Sequence, residues 1–174
     1  MNDSRLPTAI YFLLLLFGIV YFAQIYPQLP DRMASHFAAD GTPNGWSPKQ
    51  GFFFLMAMIT AVTAIPAFLV PLKLKSLPRQ RINLPNKEYW LAPEHAEETY
   101  SFFRTYMAWF GCALLFVLLF GTTQAVNANL PSIGHFNSKA MIYVMVGFVG
   151  FTGVWLISFI RHFQNVPSPS HSPL

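Results

Sequence analysis

Charge is scarce in this sequence. Asp, Glu, Lys and Arg make up 10% of its 174 residues, against about 25% in a typical soluble domain, and the shortfall argues against a soluble fold. The charges are also missing in blocks: none lies between Arg5 and Asp31, between Lys49 and Lys73, between Arg104 and Lys139, or between Lys139 and Arg161. Cysteine is nearly absent. With Cys112 alone, no disulfide can form within the chain, and this residue reads as a small apolar packing group. There is no Gly-x-Ser-x-Gly elbow, Walker loop, His-Glu-x-x-His pair or dinucleotide fingerprint, so the sequence offers no familiar support for an enzyme. No repeat of solenoid length is present.

Apolar residues fill the charge-free windows. Each window is long enough for the roughly 20 residues that cross a hydrocarbon core about 30 Å thick, and a charge at mid-span would cost roughly 2.5–3.5 kcal/mol on insertion scales. The expected spans fall near 8–27, 51–71, 106–126 and 140–160. In lipid the backbone must satisfy its own hydrogen bonds, which leaves helices or closed barrels. FLLLLFGIVYF at 12–22 and CALLFVLLF at 112–120 are continuous apolar runs, not the alternating strands of a barrel. The expectation is an all-α integral membrane protein of four helices, with residues 1–164 forming one domain in the lipid bilayer. The first window is too long for a secretory signal and AQIYPQL lacks an A-x-A-like site, so this window is expected to remain as a span.

Short loops rich in Lys and Arg stay on the cytoplasmic side of a membrane. Arg5, Lys73, Lys75, Arg79, Arg81, Lys87, Arg104 and Arg161 fall on one side of the four spans, and Arg32, Lys49 and Lys139 on the other. Both termini and the central loop, 72–105, are therefore expected in the cytoplasm, with the loop 28–50 outside. LKLKSLPRQR at 72–81 reads as an edge facing anionic headgroups, where each basic residue adds about 1 kcal/mol of attraction. It lacks aromatic interleaving, so no nucleic-acid partner is expected. Pro93 as a first helical residue, with Glu94, Glu97 and Glu98 behind it, predicts a cytoplasmic helical extension of the third span. Pro66 should bend the second span. Gly147, Gly150 and Gly153 lie close to one face of the fourth helix and predict tight packing against another helix of the chain, with self-association as the lesser option. The Pro- and Ser-rich tail, 165–174, is expected to be flexible.

The outer loop is the most distinctive stretch. YPQLPD ends the first helix, Asp31 is a plausible N-cap for a short helix over Arg32–Ala38, Asp40 and Gly41 would close that helix, and GTPNGWSPK reads as consecutive turns. Tyr26-Pro27, Leu29-Pro30, His36-Phe37, Gly41, Pro43, Trp46 and Lys49 together resemble the signature of a bacterial membrane family known as domain of unknown function 1648. INLPNKEYWLAP at 82–93 resembles a second motif that often follows it. The resemblance implies membrane placement and, through relatives that confer immunity to a sporulation-delaying peptide, an immunity-like role. Where Met33-Ala34 stands, such proteins more often carry an aliphatic residue and proline, so the short helix should be slightly loosened.

Candidate chemistry is thin. His36 and Asp40 could share a helix face near Asp31, and Glu94, His95 and Glu98 form a second His–carboxylate group, but the two sets lie on opposite sides of the membrane and neither supplies a closed zinc site. No metal or other cofactor is expected. No Asp, Glu, Lys, Arg or His lies inside a span, which argues against transport. The expected function is non-enzymatic binding, sensing or immunity, with a peptide, lipid headgroup or membrane protein as partner. The residues carrying it are expected to be His36, Phe37, Gly41, Trp46 and Lys49 outside, and Asn83, Asn86, Lys87, Tyr89 and Trp90 inside; Trp46 and Trp90 could instead be interfacial anchors. An accessory subunit of a larger complex is the alternative, and a membrane enzyme with a one-sided site the second.

Overall fold

The computed structural model describes residues 4–166; the tail from 167 onward, and with it most of the segment expected to be flexible, lies outside the described residues. Helix α1 (Arg5–Ile25) ends in a 3₁₀ turn, Tyr26–Gln28, where Pro27 stops it. Strands β1 (Arg32–Phe37) and β2 (Pro43–Pro48) follow, then α2 (Lys49–Ala64), a π-helical turn (Ile65–Leu69) and α3 (Val70–Leu74). The central loop carries a 3₁₀ turn (Arg79–Arg81) and α4 (Lys87–Trp90), and the chain finishes with α5 (Pro93–Asn129) and α6 (Ser138–Gln164). Among the described residues four segments are long and apolar enough to cross a membrane: Arg5–Gln28, Lys49–Leu74, Pro93–Asn129 and Ser138–Gln164. They contain the four expected windows. Large side chains on them face outward uncovered, Phe54 at 70% exposure and Tyr143 at 74%, which only a hydrocarbon solvent tolerates on this scale. The chain is a multi-pass membrane protein.

The long helix expected from Pro93 is present: α5 runs unbroken to Asn129, about 55 Å at 1.5 Å per residue. It is the post on which the rest hangs. Near the hairpin end, Leu29, Met33 and Phe52 pack on Ala125, Val126 and Leu130. At mid-depth, Tyr11 and Ala67 pack on Cys112 and Leu115. At the other end, Trp90 and Leu91 pack with Leu74, Ile82, Leu84 and Phe163. Pro66 removes a backbone donor, and the second span absorbs the defect as the π-helical turn. One polar pair inside the spans is satisfied between helices. The Thr63 hydroxyl gives its proton to the Thr60 carbonyl at 2.7 Å, which leaves its oxygen to accept from the Tyr11 hydroxyl at 2.7 Å.

Two expectations change. The close approaches between helices fall at Gly18, where an added Cβ would lie 2.6 Å from a Leu119 methyl, and at Gly111, which sits directly against Ala67. No tight contact within the chain forms at Gly147, Gly150 or Gly153, where an added Cβ would meet nothing within 4 Å. The second change is in the loop between the first two spans. Arg32–Phe37 is a strand and not a helix, and Pro43–Pro48 is its antiparallel partner and not a run of turns, so the protein is mostly helical but not all-α. A seven-residue helix is too short to hold itself together. The segment instead pairs through its backbone. Asp40 and Gly41 close a turn in which the Ala38 N–H donates to the Thr42 carbonyl at 2.8 Å and the Gly41 N–H to the Ala38 carbonyl at 2.9 Å. Met33 and Ala34, expected to loosen a helix, are both buried in β1.

Candidate functional site

The hairpin is held against the helix ends by specific polar contacts. Lys49 opens α2, and its Nζ donates to the Leu29 carbonyl at 2.9 Å, lies 3.6 Å from the Asp31 carboxylate and 4.7 Å from the centre of the Tyr26 ring. Its side chain is only 14% exposed. This cation ties the end of α1 to the start of α2 and is not free for a ligand. Gly41 has φ +89°, and an added Cβ would sit 2.7 Å from the Phe136 carbonyl oxygen, so both dihedral and space require glycine. Phe37 stacks on Phe136 with ring centres 4.4 Å apart, joining the hairpin to the α5–α6 connection. Asp40 Oδ1 accepts from the Thr42 N–H at 2.9 Å and the Thr42 hydroxyl at 2.7 Å. These bonds, the backbone one first, hold its carboxyl below the ordinary aspartate range.

The hairpin's free edge has a partner outside the candidate set. Asn129, the last residue of α5, accepts from the Ala34 N–H through Oδ1 at 2.8 Å and donates to the Ala34 carbonyl through Nδ2 at 2.9 Å. A side-chain amide thus extends the strand ladder. The register explains what this does: Ala34 faces Trp46, His36 faces Gly45 and Phe37 faces Pro43, so Ser35 and Asn44 are extra residues at irregular steps. Such bulges break the alternation of a strand and re-aim its side chains. Three consecutive residues, Ser35, His36 and Phe37, consequently border one cavity of about 350 Å³. Phe52 and Met56 of α2, Leu118, Gly121, Thr122 and Ala125 of α5, and Met141 of α6 line the rest. The roof is polar and the interior apolar. His36 packs close to Gly45, where a Cβ would come within 2.9 Å of its own, and its ring has no hydrogen-bond partner among the described residues.

The candidate residues divide sharply. His36 and Phe37 border the cavity, Gly41 and Lys49 shape and pin the hairpin, and Trp46 is exposed on it. The set from the central loop lies at the far end of α5, with Thr99 and Asn129 about 45 Å apart along the helix. There the Asn86 backbone is left-handed at φ +51°, and its Nδ2 donates to the carbonyls of Phe163 and Gln164 at 3.0 and 2.9 Å. Trp90 Nε1 also donates to the Phe163 carbonyl, at 2.9 Å. These bonds cap the C-terminus of α6, whose last carbonyls have no partner inside the helix. Buried Trp90 is therefore a clamp and not a lipid-facing anchor. Tyr89 stacks on His95 with centres 4.1 Å apart, Lys87 shares a small cleft with Arg79, and Asn83 is exposed. No group of three or more His, Cys, Asp or Glu side chains converges among the described residues.

A larger cavity of about 540 Å³ lies between α1, α2 and α5, is almost entirely apolar, and touches none of the candidate residues. Lined by span residues only, it is a groove open to lipid. Thr122 and Met56 border both cavities. No curated protein and no solved structure matches the chain. Residues 13–60, which cover most of α1, the whole hairpin and α2 as far as Thr60, match the family described as domain of unknown function (DUF1648).

Proposed function

We propose that this is a non-enzymatic binding protein of a bacterial inner membrane, which takes up a ligand in the cavity beneath the hairpin as a sensing or immunity-like component. The carrying observation is the bulged strand that turns Ser35, His36 and Phe37 together onto a cavity with an apolar interior. Ligand sites are typically concave and mostly apolar, with a few convergent polar groups. The excess of basic residues beside the termini and central loop supports an orientation with both termini cytoplasmic and the hairpin outside. A membrane-impermeant maleimide applied to intact cells should then label Trp46→Cys and leave Asn83→Cys unlabelled.

A photoreactive phenylalanine analogue placed at Ser35 tests the binding site without presupposing the ligand. Irradiated in cells, it should yield a discrete adduct by intact-protein mass spectrometry, diminished by His36→Ala. Labelling no greater than that from the same analogue at lipid-facing Phe54 overturns the proposal. The second reading, an accessory subunit, is favoured by α6, whose Gly150 and Gly153 face stands open and could receive a membrane-protein partner or a second copy.

A further inference from the structure

The cavity under the hairpin adjoins a second one, of about 280 Å³ between α5 and α6: Val117 borders both, and the second reaches down to Ala113 on one helix and Phe151 on the other. From Ala125 to Ala113 the combined furrow follows twelve residues of α5, about 18 Å. One leaflet of a bilayer is about 15 Å deep, half of a hydrocarbon core of about 30 Å. The furrow therefore extends from the hairpin-side surface to roughly the membrane midplane.

Its polarity changes along that path. Ser35 and His36 stand at the hairpin end, and the lower part is lined by Ala113, Phe116, Val117, Val144, Gly147 and aromatic rings. No carboxylate borders either part. The furrow persists because α6 rests lightly on α5. Of the described residues of α6 only Phe163, at its far end, is buried, and Gly147 leaves open space where a Cβ would project. Below the furrow the helices are held by the Tyr106 hydroxyl, which donates to the Trp155 carbonyl at 2.9 Å, and by Trp155 packed against Phe110 with ring centres 4.7 Å apart.

We infer that this furrow holds an acyl chain of a membrane phospholipid from the leaflet on the hairpin side, with the headgroup set against Ser35 and His36. The inference rests on the proposal that the cavity beneath the hairpin is a ligand site, and names the ligand's class. Two helices in contact have axes about 8–10 Å apart, and a third helix about 10–12 Å across with its side chains does not fit between them, whereas an extended hydrocarbon chain does. The polar end and apolar length match an amphiphile lying parallel to its neighbours in the leaflet. Gly147, idle as a helix-packing residue, acquires a role: it keeps one wall of the furrow flat.

The test uses the purified full-length protein in phosphatidylglycerol vesicles containing a phospholipid with a diazirine in its acyl tail. Photolabelling should concentrate severalfold on 113–117 and 144–151 relative to the outward face around Phe54 and Met58. Gly147→Leu, which fills open space and should leave the fold intact, should bring furrow labelling down to the level of that face; Gly150→Leu, outside the furrow, should not. Equal labelling of furrow and outward face in the wild type, or furrow labelling insensitive to Gly147→Leu in protein of unchanged melting temperature, overturns the inference. In that event a persistent adduct from Ser35 leaves the hairpin site standing with another ligand, and loss of that adduct removes both.

Discussion

Replacing Asn129 by alanine should open the hairpin without unfolding the helices. The side chain makes two bonds to the backbone of Ala34, at 2.8 and 2.9 Å, and a third to the Ala125 carbonyl of its own helix. The third can be lost cheaply, since that carbonyl already belongs to a helix. The first two are the link between segments, and at a net 0.5–1.5 kcal/mol each they amount to about 1–3 kcal/mol. Ala34 is buried, only 6% exposed, and truncation leaves its N–H without a partner, which moves the cost toward the upper part of that range. At about 1.4 kcal/mol per tenfold, a loss of about 2.5 kcal/mol shifts the local opening equilibrium roughly sixtyfold toward the open form.

Hydrogen exchange read by mass spectrometry in detergent should show this over residues 32–37, with the mid-depth segment 108–115 of α5 unchanged, because local opening and global unfolding are separate events. Asn129→Asp distinguishes a geometric from a generic polar role. An aspartate can still accept from the Ala34 N–H but presents lone pairs to the Ala34 carbonyl, so it should protect no better than alanine. Unchanged exchange over 32–37 in Asn129→Ala, or equal acceleration along the entire chain, would refute the reasoning.

Two further outcomes follow from contacts at opposite ends of the molecule. Asn86→Gly keeps the left-handed backbone and loses the amide donors to Phe163 and Gln164, whereas Asn86→Ala also places a Cβ in that conformation at about 1–2 kcal/mol; both should speed exchange over 160–166, alanine more, and a glycine variant indistinguishable from wild type would dismiss the cap. At the hairpin, the Asp40 carboxyl is held below its unfolded value by Thr42, so its contribution is present above the unfolded pKa, about 3.9, and fades as pH falls through the lower folded value. Thr42 amide protection, corrected for intrinsic exchange, should decline on acidification through that window in the wild type and stay flat in Asp40→Asn.

The four spans were legible because lipid imposes a severe and local rule: a charge in the core is costly wherever it sits, and the blanks between Arg5, Asp31, Lys49, Lys73, Arg104, Lys139 and Arg161 can be read without knowing any contact. The start of α5 at Pro93 was legible for a similarly local reason. The hairpin was not, although Asp40-Gly41 is a recognised hairpin signal. Neither RMASHF nor PNGWSP contains a β-branched residue, and with one aromatic each, Phe37 and Trp46, the strands carried too weak a signal to outweigh reading the first as a helix and the second as turns. Asn129 was illegible for a different reason. Its partner lies 95 positions away, and an amide at the end of an apolar helix carries no mark of the backbone it pairs with.

The motif residues also show why a sequence signature and a binding site are different things. Lys49 is committed to Leu29 and Asp31, Gly41 to a turn no other residue fits, and Asn86 and Trp90 to the end of α6. Each is explained by the architecture it maintains, so its presence in a recurring pattern needs no ligand. His36 and Trp46 are left over. One borders the cavity with an imidazole that bonds nothing in the described chain, and the other keeps a large ring 53% exposed beside it in the register of the hairpin. Side chains without a structural duty, displayed on strands that several other residues hold in place, are where recognition chemistry is best sought, which is why the proposed ligand site lies at the hairpin and not at the 82–93 motif.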